Sequence, residues 1–188
     1  LHRLNRELRA ISSCNQVLVR AGDEQTLLND ICRIICDEAG YRLAWIGYAE
    51  HDAAKTVRPV AWAGFDGEYV TNVGISWADN SERGQGPGGK AIRSGEIINI
   101  QDFTTDPSTA PWRENALRRG YRSAIALPLK GDRAHVFGVL LIYSTEINAF
   151  TSDEIRLLEE LSGDLAFGIM VLRNREARKE SERNIALL

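Results

Sequence analysis

The apolar period of the chain changes at Arg42, and this change restricts the fold more than any other feature. Before it, apolar residues recur at helical steps. Leu27, Leu28, Ile31, Ile34 and Ile35 form one face, closed by Gly40, which suits the position just past a helix C-terminus. After it, Arg42–Glu50 (RLAWIGYAE) and Thr56–Gly64 (TVRPVAWAG) are rich in aromatic and branched residues and flank the turn HDAAK. They read as a β-hairpin, in which Pro59 suits an edge or a bulge. Apolar residues occupy both faces of these strands, so the sheet they begin needs cover on both sides.

The remaining patterns fill in an order. Leu1, Leu4, Leu8, Ile11, Asn15 and Leu18 alternate steps of three and four, a short heptad seam with Asn in one core slot, or else an ordinary amphipathic helix. Gly22-Asp23 breaks it. Residues 65–121 are loop-rich; they hold Trp77, a glycine stretch, a short strand Ile97–Asp102, and a short helix Trp112–Arg119 framed by Pro111 and Gly120. Two strands follow, Arg122–Lys130 and Ala134–Thr145, joined by GDRA. Thr151-Ser-Asp-Glu154 fits a capping box at the head of a long helix carrying Ile155, Leu158, Leu161, Leu165, Ile169 and Leu172. A charged run, RNREARKESERN, continues it without an apolar seam until Ile185 and Leu188. Helices, two strands, a loop-rich middle, three strands and a long helix predict an α+β fold with a largely antiparallel sheet.

Ser81–Glu96 (SERGQGPGGKAIRSGE) satisfies two phosphate-binding patterns, G-x-x-x-x-G-K and G-x-G-x-x-G. Both need a buried strand before the loop and a long helix after it. Here SWADNSER precedes, Ser94-Gly95 ends the helix at once, and Ala91 stands where a Ser or Thr would hold Mg²⁺. The stretch therefore reads as a flexible loop leading into one or two helical turns packed through Ala91 and Ile92.

The 188 residues carry a net charge of −3, which gives no electrostatic case for nucleic acid. No apolar run is long enough to span a membrane, and no secretion signal is visible. Cys14, Cys32 and Cys36 are an odd set without framework spacing, suited to a reducing, cytoplasmic setting. Cys32 and Cys36 share a helix face and read as small buried residues rather than a metal or redox pair. The chain starts at Leu1 and stops inside a charged helical pattern, and reads as excised from a longer protein.

Taken together, GPGGKAIRSGEIINIQD, RRGYRSAIALPLKGDRAHVFGVLLIYS and NAFTSDEIRLLEELSGDLAFGI resemble, in order, segments of a GAF domain, the small-molecule sensor module of bacterial signalling proteins. The resemblance runs from about Glu24 to Leu172. It implies a five- or six-stranded antiparallel sheet, with long N- and C-terminal helices on one face and short helices and loops roofing a pocket on the other. It implies a homodimer through the terminal helices: 1–22 as a signalling helix, 23–172 as the sensor, and 173–188 as a connection to an output domain such as a histidine kinase or a diguanylate cyclase. The alternative is a structural dimerisation module with no ligand. No covalent bilin or haem is expected, because the cysteines all precede Trp45, and His2, His51 and His135 read as surface residues. The Asn-Lys-Phe-Asp-Glu pattern of cyclic-nucleotide-binding members is not found. Members that reduce free methionine sulfoxide use cysteines beside the pocket, where this chain has none, so the domain reads as non-enzymatic.

The candidate ligand-binding residues are Trp77, Trp112, Arg122, Ser123, Trp62, Tyr48, Asp102 and Arg113. Trp rings with nearby polar groups can line a pocket. Arg122 could fork onto a carboxylate or phosphate, or else form a salt bridge with Asp102 or Asp106. Arg122, Arg113 and Lys90 together favour an anionic small ligand, with no direct membrane insertion expected.

Overall fold

The computed structural model of the chain describes residues 2–64 and 67–188. Leu1 and the side chains of His2 and Leu4 lie outside the described residues, and with them that part of the expected heptad seam. The elements are α1 (His2–Arg20), α2 (Glu24–Asp37), β1 (Leu43–Ala49), β2 (Val57–Gly64), α3 (Gly67–Thr71), α4 (Pro87–Ser94), β3 (Ile98–Ile100), α5 (Arg113–Arg118), β4 (Ser123–Lys130), β5 (Val136–Ser144) and α6 (Ser152–Ala186).

The five strands form one antiparallel sheet in the order β2-β1-β5-β4-β3. Pro59 sits on the edge strand β2 opposite Gly47, where a bulge shifts the register, so its missing N–H costs no ladder bond in the sheet's interior. The central strands are buried on both faces, as their continuous apolar sequences require.

One face carries the long helices. Ile46, Ile125, Leu127, Leu140 and Ile142 meet Leu28, Ile31 and Ile35 of α2 and Leu158, Leu165 and Ile169 of α6. Asp23 caps α2 by accepting from Thr26 N–H at 3.0 Å, and Thr151 caps α6 by accepting from Glu154 N–H at 3.4 Å. The Glu154 carboxylate is turned inward, where the Tyr41 hydroxyl lies 3.2 Å away and also 2.7 Å from Glu7 of α1. The other face carries α3, α4, α5 and the 3-10 turn Pro107–Trp112.

The glycine stretch has a packing role. A side chain on Gly84 would collide with the Ala78 carbonyl, and one on Gly89 would lie 2.5 Å from the carbonyl oxygens of Gly84 and Ser76. Two backbone segments press together here, and α4 follows with eight residues. The Gly84 carbonyl accepts from Arg93 Nη1 at 2.6 Å.

Candidate functional site

Three places combine polar chemistry with the fold: the interior beneath the short helices, a cleft at one end of the strands, and the point where α6 leaves the body.

The interior beneath the short helices is filled with aromatic rings. Tyr69 from α3, Tyr121 before β4 and Tyr143 of β5 stand with ring centroids 5.2–5.7 Å apart, and Phe103 stacks on Tyr143 at 6.0 Å. Trp45 Nε1 donates to the Tyr143 hydroxyl at 3.5 Å, and the Arg119 guanidinium lies 5.6 Å from the Tyr69 ring centre. Burial raises both the Tyr69 and Tyr143 phenols above their ordinary range. Trp112, 5% exposed, donates to the Val73 carbonyl at 2.6 Å and lies against Gly86.

The sequence-predicted residues scatter around this interior. Trp62, opposite Trp45 on β2, is 43% exposed. Arg122 is half-buried; its N–H donates to the Ser144 carbonyl and its own carbonyl accepts from Phe103 N–H, each at 2.8 Å. The Asp102 carboxylate accepts from the Thr104 hydroxyl and N–H, which hold it below its ordinary range, with the Arg122 charge adding a smaller effect. Arg113 is committed to the loop, donating to the carbonyls of Phe103 at 2.9 Å and Asp106 at 2.6 Å. Two placements correct the expectation of one shared pocket. Tyr48 and Ser123 face the long helices: the Tyr48 hydroxyl donates to Glu24 at 2.7 Å, and the Ser123 hydroxyl to the Glu146 carbonyl at 2.6 Å. Strand alternation sends them there, because Tyr48 shares its face with Ile46 and Ser123 with Ile125. Trp77 is also away from Trp112, at the far end of the strands.

There Trp77 walls a cleft of about 460 Å³ with His51, Lys55, Asp79, Arg93 and His135. The Trp77 indole donates to the Glu50 carbonyl at 2.8 Å, which fixes its ring. Lys55 Nζ lies 4.6 Å from the ring centre, and His51 meets the ring edge-on at 5.5 Å. His51 and His135 face one another at 6.2 Å, nearly parallel at 17°. Nothing in the linear pattern joined these residues, since His51 and Lys55 lie in one turn and His135 follows another.

On the opposite sheet face, Arg173 holds α6 to the body. It donates to both Glu24 oxygens, at 2.7 and 3.1 Å, and its guanidinium lies 5.0 Å from the Tyr48 ring and 5.1 Å from that of Phe137. Burial alone would raise the Glu24 carboxyl, but the hydrogen bonds from Arg173 and Tyr48 outweigh it and hold the carboxyl below its ordinary value. The hint in the sequence was positional: Arg173 follows Leu172, the last residue of the apolar face.

The three cysteines lie on α1 and α2, on the long-helix side. Burial pushes the Cys14 and Cys36 thiols up to about 12 and that of Cys32 higher still, which suppresses the thiolate at neutral pH. Among the described residues no group of three or more His, Cys, Asp or Glu side chains could hold a metal ion, and no helix is long and apolar enough to cross a membrane.

The family model described as GAF domain matches residues 21–170. The curated proteins contain no match to the chain. Among solved structures, the free methionine-R-sulfoxide reductase from Neisseria meningitidis in complex with its substrate is similar over 90% of this chain and 91% of its own, at 18% identity and a TM-score of 0.74. The GAF domain of an Acinetobacter phosphoenolpyruvate-protein phosphotransferase covers 91% and 97%, at 16% identity and 0.70. That of the Coxiella burnetii phosphoenolpyruvate-protein phosphotransferase covers 92% and 97%, at 18% identity and 0.72. Likeness at these identities speaks for the fold.

Proposed function

The chain belongs to the GAF domain family, and from that premise we propose that it is a non-catalytic, ligand-sensing regulatory module that relays its state through paired terminal helices to an output domain. A histidine kinase or a diguanylate cyclase would suit that output. The observation that carries this reading is an apolar stripe along α1 and α6 that one subunit leaves uncovered. Leu8 is 49% exposed, Val19 87%, Phe167 72% and Val171 37%. Asn15, exposed between them, is the kind of residue that fixes register when two helices pair. Past Arg173 the helix continues to Ala186 through exposed, charged turns, including the pairs Glu176–Lys179 and Arg178–Glu182. Such a helix can carry a rotation or shift outward, provided the ligand binds one arrangement more tightly than the other.

Non-catalysis is supported by the position of the three thiols, behind the sheet from the aromatic interior and raised in pKa by burial. The reductase named above shares this fold, and its activity is not carried across at 18% identity.

Light scattering on the purified chain is expected to give a dimer that Phe167→Glu converts to monomer. A wild-type monomer at high concentration would overturn the relay. A second reading, a dimerisation module without a ligand, is favoured by the filled aromatic interior around Tyr69, Tyr121 and Tyr143. Native mass spectrometry of protein purified from cells separates the two: a retained small molecule supports the sensor, and bare protein supports the module.

A further inference from the structure

We propose that the cleft between the β1–β2 and β4–β5 turns is a binding site for a small molecule bearing a phosphate or carboxylate group, seated against Trp77 by Lys55, His51 and His135. The inference rests on the sensor reading, and its test is independent of dimerisation.

The charge of the cleft sets the ligand class. Lys55 and Arg93 are cations, Asp79 is the acid facing them, and the two imidazoles bring ring N–H donors. Arg93 spends Nη1 on the carbonyls of Trp77, Ala78 and Gly84, at 3.1, 3.2 and 2.6 Å, so its charge is held in place beside the cleft. A metal does not fit this donor set, because the lysine and arginine repel a cation and no metal-binding group is found among the described residues. An anion gains from the two cations and from the imidazole N–H donors, with Trp77, Ile92 and Val136 supplying an apolar wall.

The backbone around the cleft is held in costly conformations. Four non-glycine residues among those described have positive φ, and three of them flank this cleft: Lys55 at 50°, Arg133 at 57° and Ala134 at 58°. Lys55 is fixed there by its N–H to the Asp52 carbonyl, at 3.1 Å, and by Trp77 N–H donating to its own carbonyl, at 2.9 Å. Strain held by surrounding bonds fits a ligand seat better than a loose turn.

The cleft also backs directly onto the α6 attachment. Ala49 and Val136 line it on one sheet face, and their neighbours Tyr48 and Phe137 hold Arg173 on the other. A ligand that spreads or draws together the ends of β1 and β5 therefore acts on the same strand residues that anchor α6.

The chain has three histidines, which makes their imidazole NMR signals a direct readout. The full chain is titrated with inorganic phosphate and, separately, with sodium acetate, at ionic strength fixed by sodium chloride. Saturable shifts of His51 and His135, with His2 of α1 unmoved, are expected. Lys55→Gln and His135→Gln should each weaken binding about 10-fold, the loss of one charge-assisted contact. Arg156→Gln, distant on α6, should leave it unchanged. Saturation by phosphate alone assigns a phosphoryl group, and saturation by acetate a carboxylate. The proposal is overturned if no shift saturates, if His2 moves with the others, or if both cleft variants, verified as folded by circular dichroism, bind as the wild type does.

Discussion

The two faces of the sheet are both fully packed, yet they are built from different materials. Against the long helices the core is mainly aliphatic: Ile31, Ile35, Ile125, Leu140, Leu165 and Ile169. Against the short helices it is rich in aromatic rings, and two of them are tied by directed bonds to backbone, Trp112 to the Val73 carbonyl and Trp77 to that of Glu50. An aliphatic layer holds by volume and tolerates rearrangement; an aromatic layer tied to loop carbonyls holds the loops themselves. Truncating an anchor on each face tests the contrast most strongly. Trp112→Ala is expected to cost about 4 kcal/mol in urea unfolding and Leu165→Ala about 3 kcal/mol. Hydrogen exchange should show the larger difference, with Trp112→Ala loosening residues 73–95 selectively and Leu165→Ala weakening the molecule as a unit. Equal exchange patterns would break the distinction.

Glycines sharpen it. Gly89 is wedged between the carbonyls of Gly84 and Ser76, whereas a side chain on Gly163 of α6 would meet nothing within 4 Å. Gly89→Ala should destabilise by about 2 kcal/mol, since backbone must move to admit a methyl group. Gly163→Ala should stabilise by roughly 0.5–1 kcal/mol, by removing chain entropy from the unfolded state in a helix interior. A neutral Gly89→Ala, read by thermal unfolding, would mean that the segment before α4 is looser than its packing indicates.

The same contrast explains what the sequence disclosed. On the long-helix face the information is periodic and local, so Leu27–Ile35 and Ile155–Leu172 mark helices, and the Thr151 cap marks the start of α6. The strands were legible for the same reason, including the edge position of Pro59. The short-helix face is assembled from residues far apart in the chain; Trp112 meets Val73 and Gly86, and Trp77 meets Glu50 and Lys55. No spacing rule connects such pairs, and α3 is too short to show a period. Tyr48 and Ser123 were grouped with the tryptophans by chemistry alone, and strand alternation then sent them to the opposite face. The glycine stretch was legible in what it lacked, a long helix and a feeding strand, but not in its positive role, which depends on contacts with Ser76 and Ala78.

Tyrosine hydroxyls carry the comparison to smaller energies. Tyr41, against the long helices, reaches the Glu7 carboxylate at 2.7 Å. Tyr69, 1% exposed beneath the short helices, finds no well-formed hydrogen bond for its hydroxyl among the described residues. Tyr41→Phe should therefore cost about 1.5 kcal/mol, the worth of a hydrogen bond to a charged group, and Tyr69→Phe should stay within about 0.5 kcal/mol of wild type. A large loss from Tyr69→Phe would show that the aromatic interior holds a working polar network.

A further small effect concerns the attachment of α6, where the two faces meet through β1 and β5. The Glu24 carboxyl is held below its ordinary value of 4.5 in the folded chain. Unfolding therefore takes up a proton as the pH approaches that value from above, so the ion pair's contribution is whole above about 4.5 and is lost as pH falls through the depressed value. With both partners partly exposed, side-chain exposure being 39% for Arg173 and 29% for Glu24, solvent screens the pair and its worth is about 1 kcal/mol. Arg173→Gln should show that deficit in urea unfolding at pH 7 and lose it progressively as the pH falls from about 4.5 through the depressed value, once Glu24 is protonated in both proteins. A deficit that does not shrink as the pH falls through that range would mean that the guanidinium holds α6 by lying over Tyr48 and Phe137, contacts that acid leaves intact, rather than by its charge pair with α2.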